Sequence, residues 1–273
     1  MAFFVILCFR YANNKRRNRM SFVLRHEQDG ICTLTLNRPQ QFNALSCEVL
    51  TELQTQLTEI QNNKNIKVIV LTAEGKAFCA GHDLKEMCAF PDQNTCLDLF
   101  QQCSAVMLQL TQLPQPVIAK VQGLATAAGC QLIAACDLAV AAEHTRFAVS
   151  GITLDLFCST PAVALSRNIG RKRALEMLFT GEFIDAETAL AWGLLNRVVP
   201  ADQLDQTTLT LAQNIAAKSA AAIAIGKRGF YQQIEQDLAT AYQTAAAIMA
   251  ENFFYPDTKE GITAFVEKRP KRS

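Results

Sequence analysis

Two short stretches hold the residue types that could do chemistry. FCAGHDLKEM (78–87) places small residues and the pair His82-Asp83 after an apolar, β-branched run, IKVIVL (66–71). GLATAAGCQL (123–132) follows a second such run, PVIAKV (116–121), and opens a helix through alanines and a glycine. Small side chains let a ligand approach the backbone, and a helix N-terminus points free N–H groups at it. The chemistry on offer is therefore backbone hydrogen bonding to a ligand, with close helix–strand packing as the plain alternative. Gln131 adds an amide among alanines, cysteines and aliphatics, where neighbours of that kind belong to a core. Generic phosphate-binding patterns are missing: there is no GxGxxG after a strand and no GxxxxGK[ST]. The three histidines, His26, His82 and His144, stand at no metal-ligand spacing with a cysteine pair. The ten cysteines include no CxxC and read as small buried hydrophobes of a reducing compartment, so no metal site is expected.

The elements that must position these stretches are legible from periodicity. FVLRHEQDGICTLTLN (22–37) reads as two strands around an Asp29-Gly30 turn. Ser46 caps a predicted helix in which Val49, Leu50, Leu53, Leu57 and Ile60 recur at helical spacing. IKVIVL, PVIAKVQG (116–123) and DLAVAA (137–142) are short continuous apolar runs, the mark of strands covered on both faces. Strands alternating with helices argue for an α/β protein with a mainly parallel sheet. Beyond residue 157 the pattern is helical: Thr160-Pro161 predicts a helix start, Gly181 and Gly193 predict helix ends, and Asp257 with Glu260 matches a capping box.

Composition sets outer bounds. With 273 residues, 50% of them hydrophobic, the chain can bury one large core, and a net charge of +1 offers no global field for nucleic acid. Residues 1–20 stand apart, an apolar run followed by Arg10, Lys15, Arg16, Arg17 and Arg19 with no acid. This order fits no secretory signal, and the run is too short to span a membrane. It reads as a disordered basic extension ahead of a fold beginning near Met20, with an organelle presequence as the alternative. The expected location is cytoplasmic, or the mitochondrial matrix if residues 1–19 act as a presequence.

Taken together, NRPQQFNAL (37–45), IVLTAEGKAFCAGHDLKEM (69–87), PVIAKVQGLATAAGCQLIAACDLAVAAEHTRFA (116–148), ALEMLFTGEFIDAETALAWGLLNRVVP (174–200) and EGITAFVEKRP (260–270) carry a specific resemblance. In that order they resemble the crotonase superfamily of enoyl-CoA hydratases and isomerases. GHDLKE, AAGCQL and LFCSTPAVAL (156–165) are similar to its enoyl-CoA hydratase domain-containing protein 3 type. The resemblance implies a crotonase/ClpP-like spiral of β-β-α units over residues 21–200, with a C-terminal helical layer over 201–273. It further implies an oxyanion hole formed by the backbone N–H groups of His82 and Ala128. The family's CoA contacts would fall on Phe42, Ala44, Leu45, Ala80, Asp83, Leu84 and Lys85. Phe265 and Lys268 would be contributed by a neighbouring subunit. No cofactor is held permanently; coenzyme A enters as part of an acyl-CoA thioester. The implied assembly is a homotrimer or dimer of trimers.

The resemblance implies that Gln131 faces the place where the acyl group sits, and there the chain departs from the family's pattern. Active hydratases place glutamates at the positions of Gln131 and Gly151, where they handle the water and its proton. An amide can hold a water but is no carboxylate base, and glycine offers nothing. If each proton-transfer group contributes ~10²–10⁴-fold, little standard hydratase activity is expected. Asp155, in the acyl-pocket segment, is the first substitute to consider, ahead of Cys158, Ser159 and Thr160. GHDL also resembles the methylmalonyl-CoA decarboxylase branch, which keeps a glutamate at the Gln131 position. A non-catalytic acyl-CoA binder or sensor fits the same losses. RNA binding would need a basic stripe, and beyond residue 20 the chain has 21 basic against 25 acidic residues.

Overall fold

A computed structural model describes residues 21–270; the expected N-terminal extension lies outside them. The chain opens with β1 (Val23–Gln28) and β2 (Ile31–Leu36), which pair antiparallel. Asp29 and Gly30 turn between them with φ of 52° and 78°, the conformation the Asp-Gly pair favours. In α1 (Cys47–Gln61) the Ser46 hydroxyl accepts from the Val49 N–H at 3.3 Å, and all five expected apolar residues are buried. β3 (Val68–Ala73), α2 (Leu84–Cys88), α3 (Gln93–Gln112) and β4 (Val117–Val121) follow. Next come β5 (Leu124–Thr126), α4 (Ala128–Ala135), β6 (Leu138–Ala142) and β7 (Arg146–Ala148). A 3-10 turn, Ser150–Leu154, leads to α5 (Ser159–Asn168), α6 (Arg171–Thr180), β8 (Ile184–Asp185), α7 (Ala186–Trp192) and β9 (Arg197–Val199). The chain ends in α8 (Leu204–Ala216), α9 (Ala220–Gln233), α10 (Leu238–Phe253) and α11 (Pro256–Val266).

The main sheet runs β1-β2-β3-β4-β6-β9, with every neighbouring pair after β1–β2 parallel. A smaller sheet, β5-β7-β8, lies beside it. β4, β5 and α4 form one strand–strand–helix unit, and β6, β7 and α5 the next, so the chain winds between the two sheets. All of β3 is buried because both its faces are covered. Ile69, Leu71 and Ala73 join the large core under α1 and α3. Val68 and Val70 alternate to the other face, under Leu204, Ala212 and Ala216 of α8. The site-bearing loops therefore leave strands clamped from both sides.

Two expected helix starts fall elsewhere. α5 begins at Ser159 with Cys158 ahead of it, so Thr160 lies inside the first turn and caps nothing. Pro161 is buried and packs there rather than marking N1. α11 begins at Pro256, whose fixed φ suits the first helical position, and Asp257 accepts a bond from Ser219 Oγ at 2.9 Å instead of capping. Gly181 and Gly193 do end α6 and α7, with φ of 66° and 93°.

Candidate functional site

The site lies where the loops leaving β3 and β4 meet. Gly81, at φ 95°, lets the AGHDL loop press on the start of α4: a Cβ there would stand 2.9 Å from Ala127 Cβ and 3.4 Å from Ala128 N. Gly129 is needed for the same reason, since its Cβ would stand 2.1 Å from the Cys79 carbonyl oxygen. Thr126 Oγ1 donates to Ala80 O at 2.9 Å, tying the two loops side by side. Ala127 sits at φ 48°, ψ −118°, a costly conformation for alanine, held by its N–H to Ala148 O at 3.0 Å.

This packing orients the two backbone donors. Leu45 N–H donates to Gly81 O at 2.7 Å and Asp83 N–H to Leu45 O at 3.2 Å. In such a parallel bridge the middle residue's own N–H points away from the partner, so that of His82 is turned outward. Ala128 is the first residue of α4, where an N–H has no intrahelical acceptor. Among the described residues neither N–H donates a hydrogen bond to the protein. Two neighbouring free donors can grip one oxygen and stabilise negative charge on it. Ala128 is fully buried, so the space in front of its N–H is closed to solvent here.

Gln131 lies one turn further along α4, and helical side chains lean back toward the N-terminus, here toward the Ala128 end. It is 3% exposed, and its Oε1 is buried without a partner. The His82 ring meets Phe100 edge-on at 5.2 Å, its Nε2 likewise buried and unpartnered. Burial pulls this imidazole down to about 4, so it is neutral at physiological pH. Gly151 lies in the 3-10 turn, and the space a side chain would need is taken: a Cβ would stand 2.5 Å from Leu156 O and 2.7 Å from Cys158 Sγ. Asp155 is exposed and ends that turn in the left-handed conformation at φ 59°. Cys158 is buried, Ser159 is exposed, and Thr160 is half-buried.

Of the residues expected to touch CoA, Phe42, Leu84 and Lys85 are exposed, and Ala80 is half-buried beside them. Leu45 is fully buried with N–H and C=O both spent on the bridge, and Ala44 is buried with its groups bonded to Gln41 O and Arg38 Nη1. They shape the loop from behind. The Asp83 carboxylate accepts from the Lys85 and Glu86 N–H groups at the start of α2 and pairs with Arg38 at 2.8 Å. Burial would raise its carboxyl, but the Arg38 bond and the backbone bonds outweigh that and hold it below the usual range. Phe265, 85% exposed, and Lys268, at φ 52°, belong to the C-terminal layer, where α11 packs on α10.

Two structural groups escaped the sequence reading. Asn43, buried and left-handed at φ 54°, accepts from Arg38 N–H and donates to Glu74 O and Ala77 O, each at 2.8 Å. It locks the 38–45 loop to the one that feeds His82; its place in NRPQQFNAL was the available signal. Lys227 of α9 donates to Leu110 O, Gln115 O and Asp137 Oδ2 at 2.8, 3.0 and 2.6 Å, and Tyr231 donates to Asp137 Oδ1 at 2.9 Å. That buried cluster ties α9 to the amino ends of β4 and β6, opposite the site. Among the described residues no three His, Cys, Asp or Glu side chains converge on a metal-sized space.

The profile of the enoyl-CoA hydratase/isomerase family matches residues 26–272. The chain belongs to the enoyl-CoA hydratase/isomerase family. A mitochondrial enoyl-CoA hydratase domain-containing protein 3 of Rattus norvegicus is 47% identical over 243 residues, 89% of this chain and 81% of that protein. A short-chain-enoyl-CoA hydratase of Clostridium acetobutylicum is 32% identical over 254 residues, 90% of this chain and 95% of that one. Among solved structures, an enoyl-CoA hydratase of Mycobacterium smegmatis superposes with a TM-score of 0.91 at 52% identity, covering 92% of this chain and 98% of that one. The human enoyl-CoA hydratase domain-containing protein 3 gives 0.90 at 45% identity, covering 93% and 100%. These neighbours make the two-sheet winding a crotonase fold with a C-terminal helical region. Among the described residues no helix is long and apolar enough to cross a membrane.

Proposed function

We propose that this family member binds acyl-CoA thioesters, with the thioester oxygen accepting from the His82 and Ala128 N–H groups, and that its hydratase activity is weak or altered. One observation supports the reading: two backbone donors stay unspent while a buried amide, Gln131, stands where the resemblance implies a carboxylate, and a side chain at 151 would clash. One such donor is typically worth ~10²–10³ in rate, so an enolate could still be stabilised while water addition lacks its acid and base. Asp155, exposed in its turn, is poorly placed to substitute. Phe42, Ala80, Leu84 and Lys85 form the accessible rim on which the CoA moiety would lie.

Self-association completes the reading. Tyr242, Met249, Phe254 and Phe265 leave an apolar C-terminal layer uncovered, which suits a homotrimer or dimer of trimers in which Phe265 and Lys268 reach a neighbour's site. The mitochondrial names of several relatives, with the acid-free basic segment at residues 1–19, favour the mitochondrial matrix over the cytoplasm.

The test is turnover of crotonyl-CoA, followed by loss of enoyl absorbance, in wild type and Gln131→Glu. Inert or feeble wild type with a gain in the variant supports the reading. Efficient turnover by wild type refutes it. Binding without turnover in both proteins, across several acyl groups, favours a non-catalytic binder.

A further inference from the structure

The free His82 N–H stands at the end of a line of hydrogen bonds that begins at a cation. Arg38 Nη1 donates to Ala44 O at 3.3 Å. The same peptide unit carries the Leu45 N–H, which donates to Gly81 O at 2.7 Å. The Gly81–His82 unit in turn carries the His82 N–H. In a trans peptide C=O and N–H point opposite ways, and no described peptide bond is cis, so the two units line up head to tail. Hydrogen bonds in such a row polarise one another, and a cation at the carbonyl end strengthens the donor at the far end. Arg38 Nη1 also pairs with the Asp83 carboxylate at 2.8 Å, both side chains being half-buried at 21% and 12% exposure, so solvent screens the charges only in part. Asp83 directly follows His82, where an uncompensated carboxylate would oppose negative charge on a ligand oxygen. The guanidinium also lies over the Phe22 ring, 5.9 Å from its centroid, which helps hold it in place.

We infer that Arg38 is a positioning residue that tunes the His82 donor: its charge is relayed through two peptide units to the thioester oxygen, and it cancels the carboxylate beside that donor. The inference rests on the acyl-CoA reading above and adds a residue that acts through the backbone. Two features set the arrangement apart from an ion pair that only ties loops together. One nitrogen, Nη1, serves both Ala44 O and Asp83, so its loss removes relay and compensation at once. Asp83 also accepts from the Lys85 and Glu86 N–H groups at 3.0 and 3.3 Å, and Asp83→Asn keeps an oxygen for those bonds. The second donor has no such lead. Ala127 O, in the peptide unit of the Ala128 N–H, accepts from the Gln131 N–H at 3.1 Å, which is neutral backbone. Of the two donors, the one at His82 is therefore the one a side-chain charge can adjust.

The experiment is infrared spectroscopy of butyryl-CoA, isotopically labelled at the thioester carbonyl, bound to the full chain. Donation by the two N–H groups should lower the carbonyl stretching frequency. Arg38→Met should take away roughly 10–30% of that lowering, the cooperative gain in a relayed hydrogen bond. Asp83→Asn should hold or deepen the lowering, and combining it with Arg38→Met should recover part of the loss. If Arg38→Met does not fold, Arg38→Gln, which keeps a donor for Ala44 O without the charge, takes its place. An unchanged lowering in the Arg38 variant overturns the inference and leaves the acyl-CoA reading standing. An equal loss in Asp83→Asn does the same, because a pair that merely ties the loops weakens whichever partner is removed. Bound thioester with no lowering in wild type overturns the two-donor grip itself. Absence of binding overturns the acyl-CoA reading.

Discussion

Placing a carboxylate by Gly151→Glu, at the position where the family resemblance implies one, should fail on structural grounds. The first side-chain atom alone would stand 2.5 Å from Leu156 O and 2.7 Å from Cys158 Sγ, about an ångström inside normal contact. Leu156 cannot move freely, because its own N–H donates to Gly151 O at 3.1 Å and closes the turn. Overpacking of this kind costs roughly 1–3 kcal/mol, and a carboxylate forced into the same space adds a desolvation penalty. Gly151→Ala isolates the steric part. In urea unfolding followed by circular dichroism it should lose about 1–3 kcal/mol. Gly226→Ala is the internal control: it lies exposed in α9 with nothing within 4 Å of a new Cβ, and should gain about 0.5–1 kcal/mol from helix propensity. Gly151→Glu should be less stable than Gly151→Ala and should add no turnover to Gln131→Glu. A neutral or stabilising Gly151→Ala would refute the reasoning, because the 151 pocket would then be open and the second carboxylate merely missing.

Three further outcomes follow from the same geometry. Lys227→Met should cost about 3–5 kcal/mol, since it takes the counter-ion from the Asp137 carboxylate, which keeps only the Tyr231 and Val117 donors, and unpairs two carbonyls in the interior; pairing it with Asp137→Asn should recover part of the loss, and strictly additive costs would mean the two do not act as a pair. Asn43→Gly relieves a left-handed residue yet gives up three bonds, so a net loss of about 1–3 kcal/mol and weaker acyl-CoA binding are expected in denaturation and calorimetry, whereas a stabilised variant would mean the bonds contribute little. The His82 imidazole takes a proton near pH 4 in the folded chain and near 6.5 when unfolded, so between those values the unfolded state binds the extra proton. Its contribution is present above pH 6.5 and lost as pH falls toward 4, about 3 kcal/mol at most. Urea midpoints between pH 7 and 4.5 should therefore fall more steeply in wild type than in His82→Phe, and parallel slopes would count against a buried neutral imidazole.

Sequence alone determined whatever depends on near neighbours in the chain. The Asp29-Gly30 turn, the Ser46 cap, the stripe of α1 and the double-covered strand β3 are set by residue type and spacing within one element. Gln131 and Gly151 were legible as departures because they stand inside motifs whose other residues match. Only the tertiary structure decided what packs around them. Gly151 is closed by Leu156 and Cys158 folding back over it, which no pattern at 151 announces. Leu45 and Ala44 turn inward because the 38–45 loop is bridged to residues some forty positions later, which their own motif does not announce. Lys227 reads as a surface charge on an amphipathic helix until Asp137, ninety residues earlier, meets it. A helix start at Thr160 or Asp257 is a local preference, and each was outweighed by packing or by the fixed backbone of a neighbouring proline. Local signals need only the chain's own geometry; the state of a buried atom depends on what distant segments bring against it.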